Sequence, residues 1–255
     1  MNKHVWLLVL VIISVLITSG VYYSNLVKEH DTELSPYTAS SIHTFSSTQS
    51  WDVQPLTLPT GAEPLSSATI NLPPPPTNDS VIERELAYLH TLSTQRSTQT
   101  QAMIQAEMNS STMELGEITL GNLWKQKPRT ANLVTYTLAV TEPIILEMKR
   151  QFDRIRPSFL DPTLSTAIAV PAHPAYPSGH ATQAYLLAQL FSDLNPHDQA
   201  AYYRSALRIA HHREIAGLHY PSDSQAGRIL AAQLYELLLA DEQFLTRYHE
   251  ARAEW

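Results

Sequence analysis

Seven glycines in 255 residues leave few positions for the tight reversals of a hairpin-rich sheet, while seventeen prolines punctuate the chain. Between these breaks run long alanine- and leucine-bearing stretches with apolar residues at helical spacing. Ala131 to Phe152 is one, with Pro143 expected to bend or divide it. Ala181 to Leu194 is another, and Ala200 to Ile215 a third, with Gly217 as its stop. Ala226, Ile229, Leu230 and Leu234 mark a further one. The pattern predicts an all-α fold, a single helical bundle domain. Ser97 to Met108 is read as helical, and Leu115 to Trp124 is ambiguous.

Three short motifs then follow one another along these segments. The first is Lys149-x6-Arg156-Pro157, the second Pro177-Ser178-Gly179-His180, and the third Arg213-x5-His219-x3-Asp223. Lys149 and Arg156 stand close to two helical turns apart, so one helix face could carry both, with Pro157 ending the helix. Arginine offers a planar fork for two phosphate oxygens and lysine a point charge. In the second motif Gly179 permits close backbone approach and leaves an amide free, and Ser178 adds a donor. The motif opens a helix, whose N-terminus favours an anion. In the third, Arg213 falls in the last turn of a helix and His219 on the connection after it. A carboxylate at Asp223 can fix the tautomer of His219 and leave its other nitrogen free to attack. This inventory suits a tetrahedral oxyanion, a phosphate group that is bound, attacked and released.

The order and spacing of the motifs resemble the type-2 phosphatidic acid phosphatase and vanadium haloperoxidase superfamily. Its pattern is Lys-x6-Arg-Pro, then Pro-Ser-Gly-His, then Ser-Arg-x5-His-x3-Asp. His212 stands where the family usually has serine, and is expected on a helix face or behind the site. The four prolines Pro73 to Pro76 precede capping residues Thr77 to Ser80 and a stripe of Ile82, Leu86 and Leu89. That entry resembles the secreted bacterial class A non-specific acid phosphatases. The resemblance implies a metal-independent phosphomonoesterase working through a phosphohistidine on His219, with Asp223 orienting it. It implies that His180 protonates the leaving oxygen and later activates water. Lys149, Arg156, Ser178, the Gly179 amide and Arg213 would hold the phosphate oxygens. No metal and no cofactor is implied for that branch. The alternative branch, a haloperoxidase, would hold vanadate in the same pocket. A non-catalytic anchored domain that binds an anion is the remaining alternative.

Substrate and location are bounded by charge and by the N-terminus. A net charge of −7 and a pI near 5.8 argue against a nucleic-acid surface. With no cysteine, neither disulfides nor thiolate metal sites can form. The expected partner is a small phosphate ester, with lipid phosphates as a further substrate class. Lys3 and His4 precede a nearly uninterrupted apolar run, Val5 to Tyr23, which fits a signal peptide or an uncleaved anchor. Either would export the protein to a periplasmic or extracellular place, with membrane contact only through this segment. The expected organisation is thus a leader or anchor at 1–23 and a Ser/Thr/Pro-rich arm at 24–71. The phosphatase-like helical domain is placed at 72–245 and a tail at 246–255.

Overall fold

The structure is a computed structural model, and the residues described are 44–51, 58–60, 62–108 and 126–255. The apolar run at 1–23, the first part of the arm and the stretch Leu115 to Trp124 lie outside the described residues. Among the described residues the regular structure is helical, with short 3-10 turns and a lone antiparallel bridge between Thr44 and Arg154. None of these helices is long and apolar enough to cross a membrane.

The helices, in chain order, are α1 (Asp79–Thr94), α2 (Thr98–Met108), α3 (Pro128–Phe152) and α4 (Pro157–Leu160). They continue with α5 (Gly179–Leu194), α6 (Gln199–Ile215), α7 (Pro221–Leu238) and α8 (Glu242–Arg252). Asn78 caps α1 by accepting from the Ser80 amide at 3.0 Å, as the run of capping residues predicts. At the centre lies α5, packed against α6 on one side and α7 on the other. Its Leu186, Leu187, Leu190 and Phe191 are fully buried with Ile209, Leu230, Leu234 and Leu238. Gly227 lets α7 approach the start of α5. A Cβ there would sit 2.7 Å from the Ser178 carbonyl oxygen and 2.9 Å from the Ala181 Cβ.

The helix α3 is neither divided at Pro143 nor ended by Pro157. Pro143 lies inside the helix, and α3 continues past it undivided from Pro128 to Phe152. Nor does Pro157 end it. The helix stops at Asp153, which adopts the left-handed conformation with φ 45°, and its amide donates to the Lys149 carbonyl at 3.0 Å. Aspartate tolerates this geometry better than most side chains. Its carboxylate also accepts from the Ser46 amide at 3.1 Å, fastening the described piece of the arm to the helix end. Pro157 instead opens α4 at the first helical position, where a missing N–H costs nothing. Lys149 therefore lies on a helix, whereas Arg156 lies on the extended segment after it.

Residues 246–255, set apart as a tail by sequence, continue α8 and pack on α3. Ala251 is fully buried. Glu254 accepts from the Arg129 and Thr130 amides, both at 2.9 Å, and so caps α3 from the far end of the chain. Three described residues of the arm behave similarly. Phe45 is fully buried, and Leu65 and Ile70 pack against the main core.

Candidate active site

The second motif is locked to the third before any ligand is considered. Ser178 caps α5, its Oγ accepting from the Ala181 amide at 3.4 Å, while its own amide donates to the Asp223 carbonyl at 3.0 Å. The Tyr176–Pro177 peptide leading into it is cis. Lys149, buried on α3, donates through Nζ to the carbonyls of Pro174 (2.9 Å), Ala175 (3.3 Å) and Pro177 (2.6 Å). One cation thus gathers three carbonyls of the approach loop beneath the Gly179 end of α5.

His219 sits between a carboxylate and a guanidinium. Its Nδ1 lies 3.2 Å from Asp223 Oδ2, and its Nε2 lies 3.1 Å from Arg156 Nη1. Because a guanidinium only donates, Nε2 is the bare nitrogen and Nδ1 carries the proton. Arg156 is fully buried and braced by the Leu218 carbonyl at 2.8 Å and the His173 carbonyl at 2.9 Å. Its Nη2 also donates to His173 Nδ1 at 3.0 Å. Asp223 Oδ2 accepts a further bond from the Tyr220 amide at 3.0 Å, and Oδ1 takes Arg154 Nη1 at 2.5 Å. Arg154 reaches on to Glu85 of α1 at 2.9 Å and covers the Tyr220 ring, its Cζ 3.8 Å from the centroid.

A second buried carboxylate organises the other side. Glu107 of α2 accepts from Arg213 Nη2 at 3.0 Å and pairs with His212 Nδ1 at 2.7 Å. His212 therefore occupies a buried place behind the site, bonded to the carboxylate that holds its neighbour. Arg213 Nε is buried without a hydrogen-bond partner among the described residues. An orphaned buried donor of this kind marks a place where a further acceptor fits.

These cations set the protonation of the site. Burial, and then Arg156 and Lys149, hold His219 well below its ordinary value, so it is a neutral imidazole. His180 is pushed down to about 3, chiefly by burial and next by Arg213, with a hydrogen bond to the Glu107 backbone opposing. His173 falls to about 2, from burial and then Lys149 and Arg156. Lys149 is itself driven down by burial and then by Arg156, against the pull of Asp223. Arg156 falls only to about 10, mainly by burial, and stays cationic near neutral pH.

Lys149, Gly179, His180, Arg213 and His219 all face one cavity of about 180 Å³. Arg156, Ser178 and Asp223 stand directly behind them through the bonds described. All eight residues singled out in the sequence are therefore brought to one place. The named motif residues do not point to Arg154, Glu85 or Glu107: Arg154 holds Asp223, Glu107 holds Arg213, and Glu85 in turn holds Arg154. His173, a loop residue outside the three motifs, lines the cavity and braces Arg156.

Residues 130–245 match the family model of the PAP2 superfamily. This stretch is similar to PAP2 domains. Curated relatives include a non-specific acid phosphatase of Providencia stuartii, 30% identical over 81 residues, or 32% of this chain and 33% of that protein. An acid phosphatase of Zymomonas mobilis subsp. mobilis is 30% identical over 134 residues, covering 51% of this chain and 50% of the relative. The chain thus matches half or less of the length of these relatives. Among solved structures, a transmembrane PAP2-type phosphatidylglycerolphosphate phosphatase of Bacillus subtilis aligns with a TM-score of 0.48 at 17% identity. The alignment covers 64% of this chain and 87% of that one.

Proposed function

We propose that this PAP2-like domain is a metal-independent phosphomonoesterase of the acid phosphatase kind, acting through a phosphohistidine on His219. The observation that carries the reading is the state of His219. Its ring lines the cavity, its Nε2 accepts from Arg156 Nη1 and so is the bare nitrogen, and Asp223 holds the ring from behind at Nδ1.

The ester phosphate enters with its equatorial oxygens toward Arg156, Arg213, the Gly179 amide and Lys149. Arg156 Nη1 turns from His219 Nε2 to a phosphate oxygen, and the spare Arg213 Nε gains its acceptor. Nε2 then attacks phosphorus in line. The N–P bond forms as the bond to the ester oxygen breaks, and His180 delivers a proton to the departing alkoxide. The positive imidazolium is balanced by Asp223. In the second half His180 takes a proton from water as the water oxygen attacks phosphorus, the N–P bond breaks, and inorganic phosphate leaves. Fixed donors around the equatorial oxygens contribute ~3–4 kcal/mol each in such an enclosed site. Proton transfer through His180 contributes roughly 10²–10⁴-fold.

Because His180 is neutral in the free site, its proton arrives with the substrate monoanion or is taken up once the phosphate charge is present. The domain is taken to span residues 72–245 together with α8, which carries it to the C-terminal residues. Export rests on the apolar run Val5 to Tyr23. Hydrolysis of 4-nitrophenyl phosphate in the presence of chelator tests the activity, with His219→Ala as control. Turnover that survives chelation and disappears in the variant supports the reading. Turnover that survives in His219→Ala contradicts it.

A further inference from the structure

The cavity lining extends beyond the anion site, and the part away from it has a chemistry of its own. One face of α3 presents Glu142, Ile145, Leu146 and Lys149 to it, the spacing of a single helical stripe. Lys149 stands at the phosphate end. Glu142 stands seven residues earlier, about 10 Å away along the helix axis. Ile145 and Leu146 separate them, and Leu218, Ile168 and Pro171 face the same space from the approach loops. From α5, Gln183 lines the cavity one turn beyond Gly179. A ligand held by its phosphate would therefore meet an apolar wall next, and then a carboxylate and a neutral amide.

Glu142 is not explained by the fold. Among the described residues it makes no hydrogen bond or ion pair, although it is half-buried and the cations of the site are engaged elsewhere. Burial pushes its carboxyl up from the ordinary value, as expected for a group lacking a donor of its own. Arg154 and Arg213 hold Asp223, Glu85 and Glu107, which leaves Glu142, among the described residues, as the carboxylate facing the cavity without a cation. A half-buried carboxylate in that position repels an anionic leaving group and draws a cationic one.

We propose that Glu142 selects the leaving group, favouring phosphate monoesters whose alcohol half is apolar beside the ester and carries an amine at its far end. Gln183 supplies a neutral acceptor to the same amine. This assignment rests on the phosphomonoesterase reading and narrows its substrate class.

Matched aryl phosphates test it, since they share the reacting group and differ only at the far end of the ring. The full-length protein is assayed for kcat/KM with 4-(aminomethyl)phenyl phosphate and 4-carboxyphenyl phosphate, then with Glu142→Gln and Glu142→Lys. The ratio of the two substrates is compared between proteins, which removes the difference in phenol acidity. Relative to wild type, Glu142→Gln lowers the preference for the ammonium ester roughly tenfold, mostly through KM, and Glu142→Lys lowers it further. Glu142→Ala serves as a second removal of the charge and lowers it as Glu142→Gln does. An unchanged ratio in the Gln and Ala variants overturns the role of Glu142 while leaving the phosphatase reading intact. No turnover of either ester by the wild type overturns both.

Discussion

Arg154 and His219 do not touch, yet they share one carboxylate: Asp223 gives Oδ1 to Arg154 at 2.5 Å and Oδ2 to the His219 ring at 3.2 Å. The buried arginine fixes the plane of the carboxylate, and the carboxylate fixes the tautomer of His219, the proposed nucleophile. Arg154→Ala should therefore lower kcat about 10²-fold with a smaller change in KM, because orientation rather than substrate contact is lost. Arg154→Lys should recover only part, since it cannot bridge Asp223 and Glu85 with one planar fork. Steady-state kinetics on a chromogenic phosphate decide this. A variant altered mainly in KM would place Arg154 on the substrate instead.

Glu107 holds Arg213 and His212 together in the interior, with all three side chains buried. Removing the carboxylate strands a buried guanidinium, a loss of about 3–5 kcal/mol for pairs of this type. Glu107→Ala should show that destabilisation in urea unfolding, and Glu107→Gln less of it. Added phosphate should restore part of the loss, since a bound anion gives Arg213 a new partner.

Acid should destabilise the ligand-free protein through its buried neutral histidines. His180 titrates near 3 when folded and near 6.5 when unfolded, so between those values the unfolded chain holds a proton that the folded one lacks. Stability then falls as pH drops below 6.5, by up to ~1.4 kcal/mol per pH unit for each such histidine. His173, held to about 2, acts in the same direction. Unfolding midpoints measured from pH 7 to 4 should fall in buffer, and fall less steeply in His180→Ala.

The pH profile of kcat/KM reports the free enzyme and free substrate. With His180 already neutral in the free site, the falling limb on the alkaline side should follow the second ionisation of the ester, near 6. An aryl phosphate with electron-withdrawing ring substituents lowers that ionisation, and the limb should move down with it. A limb fixed at one pH for every ester would assign it to the protein.

Gly227 packs α7 against the Ser178 end of α5. Gly227→Ala places a Cβ against backbone, 2.7 Å from the Ser178 carbonyl oxygen, which cannot swing aside as a side-chain tip would. A loss of roughly 1–3 kcal/mol follows from the overpacking. Activity should fall with it, because Ser178 and Gly179 must shift. Wild-type kinetics in a folded variant would show that the helices separate at no cost to the site.

Much of this was legible in the sequence because the chemistry and the helix signals coincide. Ser178 is both a motif residue and the cap of α5, and Gly217 takes φ 70° after α6, where a stop was expected. The path between Lys149 and Arg156 was not legible. Their spacing suits a continuous helix, and only the left-handed turn at Asp153, stabilised by Ser46 far away in the chain, breaks it. In the extended segment that follows, alternate residues share a side, so Arg154 and Arg156 both turn toward the 219–223 segment. The Arg-x-Arg spacing was the available signal for Arg154. Glu85 and Glu107 offered none, since each is an acidic residue on an ordinary helix until tertiary packing buries it beside an arginine.

The most direct measurement is a chemical quench of turnover followed by mass spectrometry of the protein. His180→Asn with 4-nitrophenyl phosphate is the sample of choice, since a good leaving group departs without an acid while water attack lacks its base. The account predicts a phosphoryl group on His219, labile to acid and absent from the His180→Asn/His219→Ala double variant. Turnover by the wild type with no label on His219 under these conditions, or label retained elsewhere in the double variant, would contradict it.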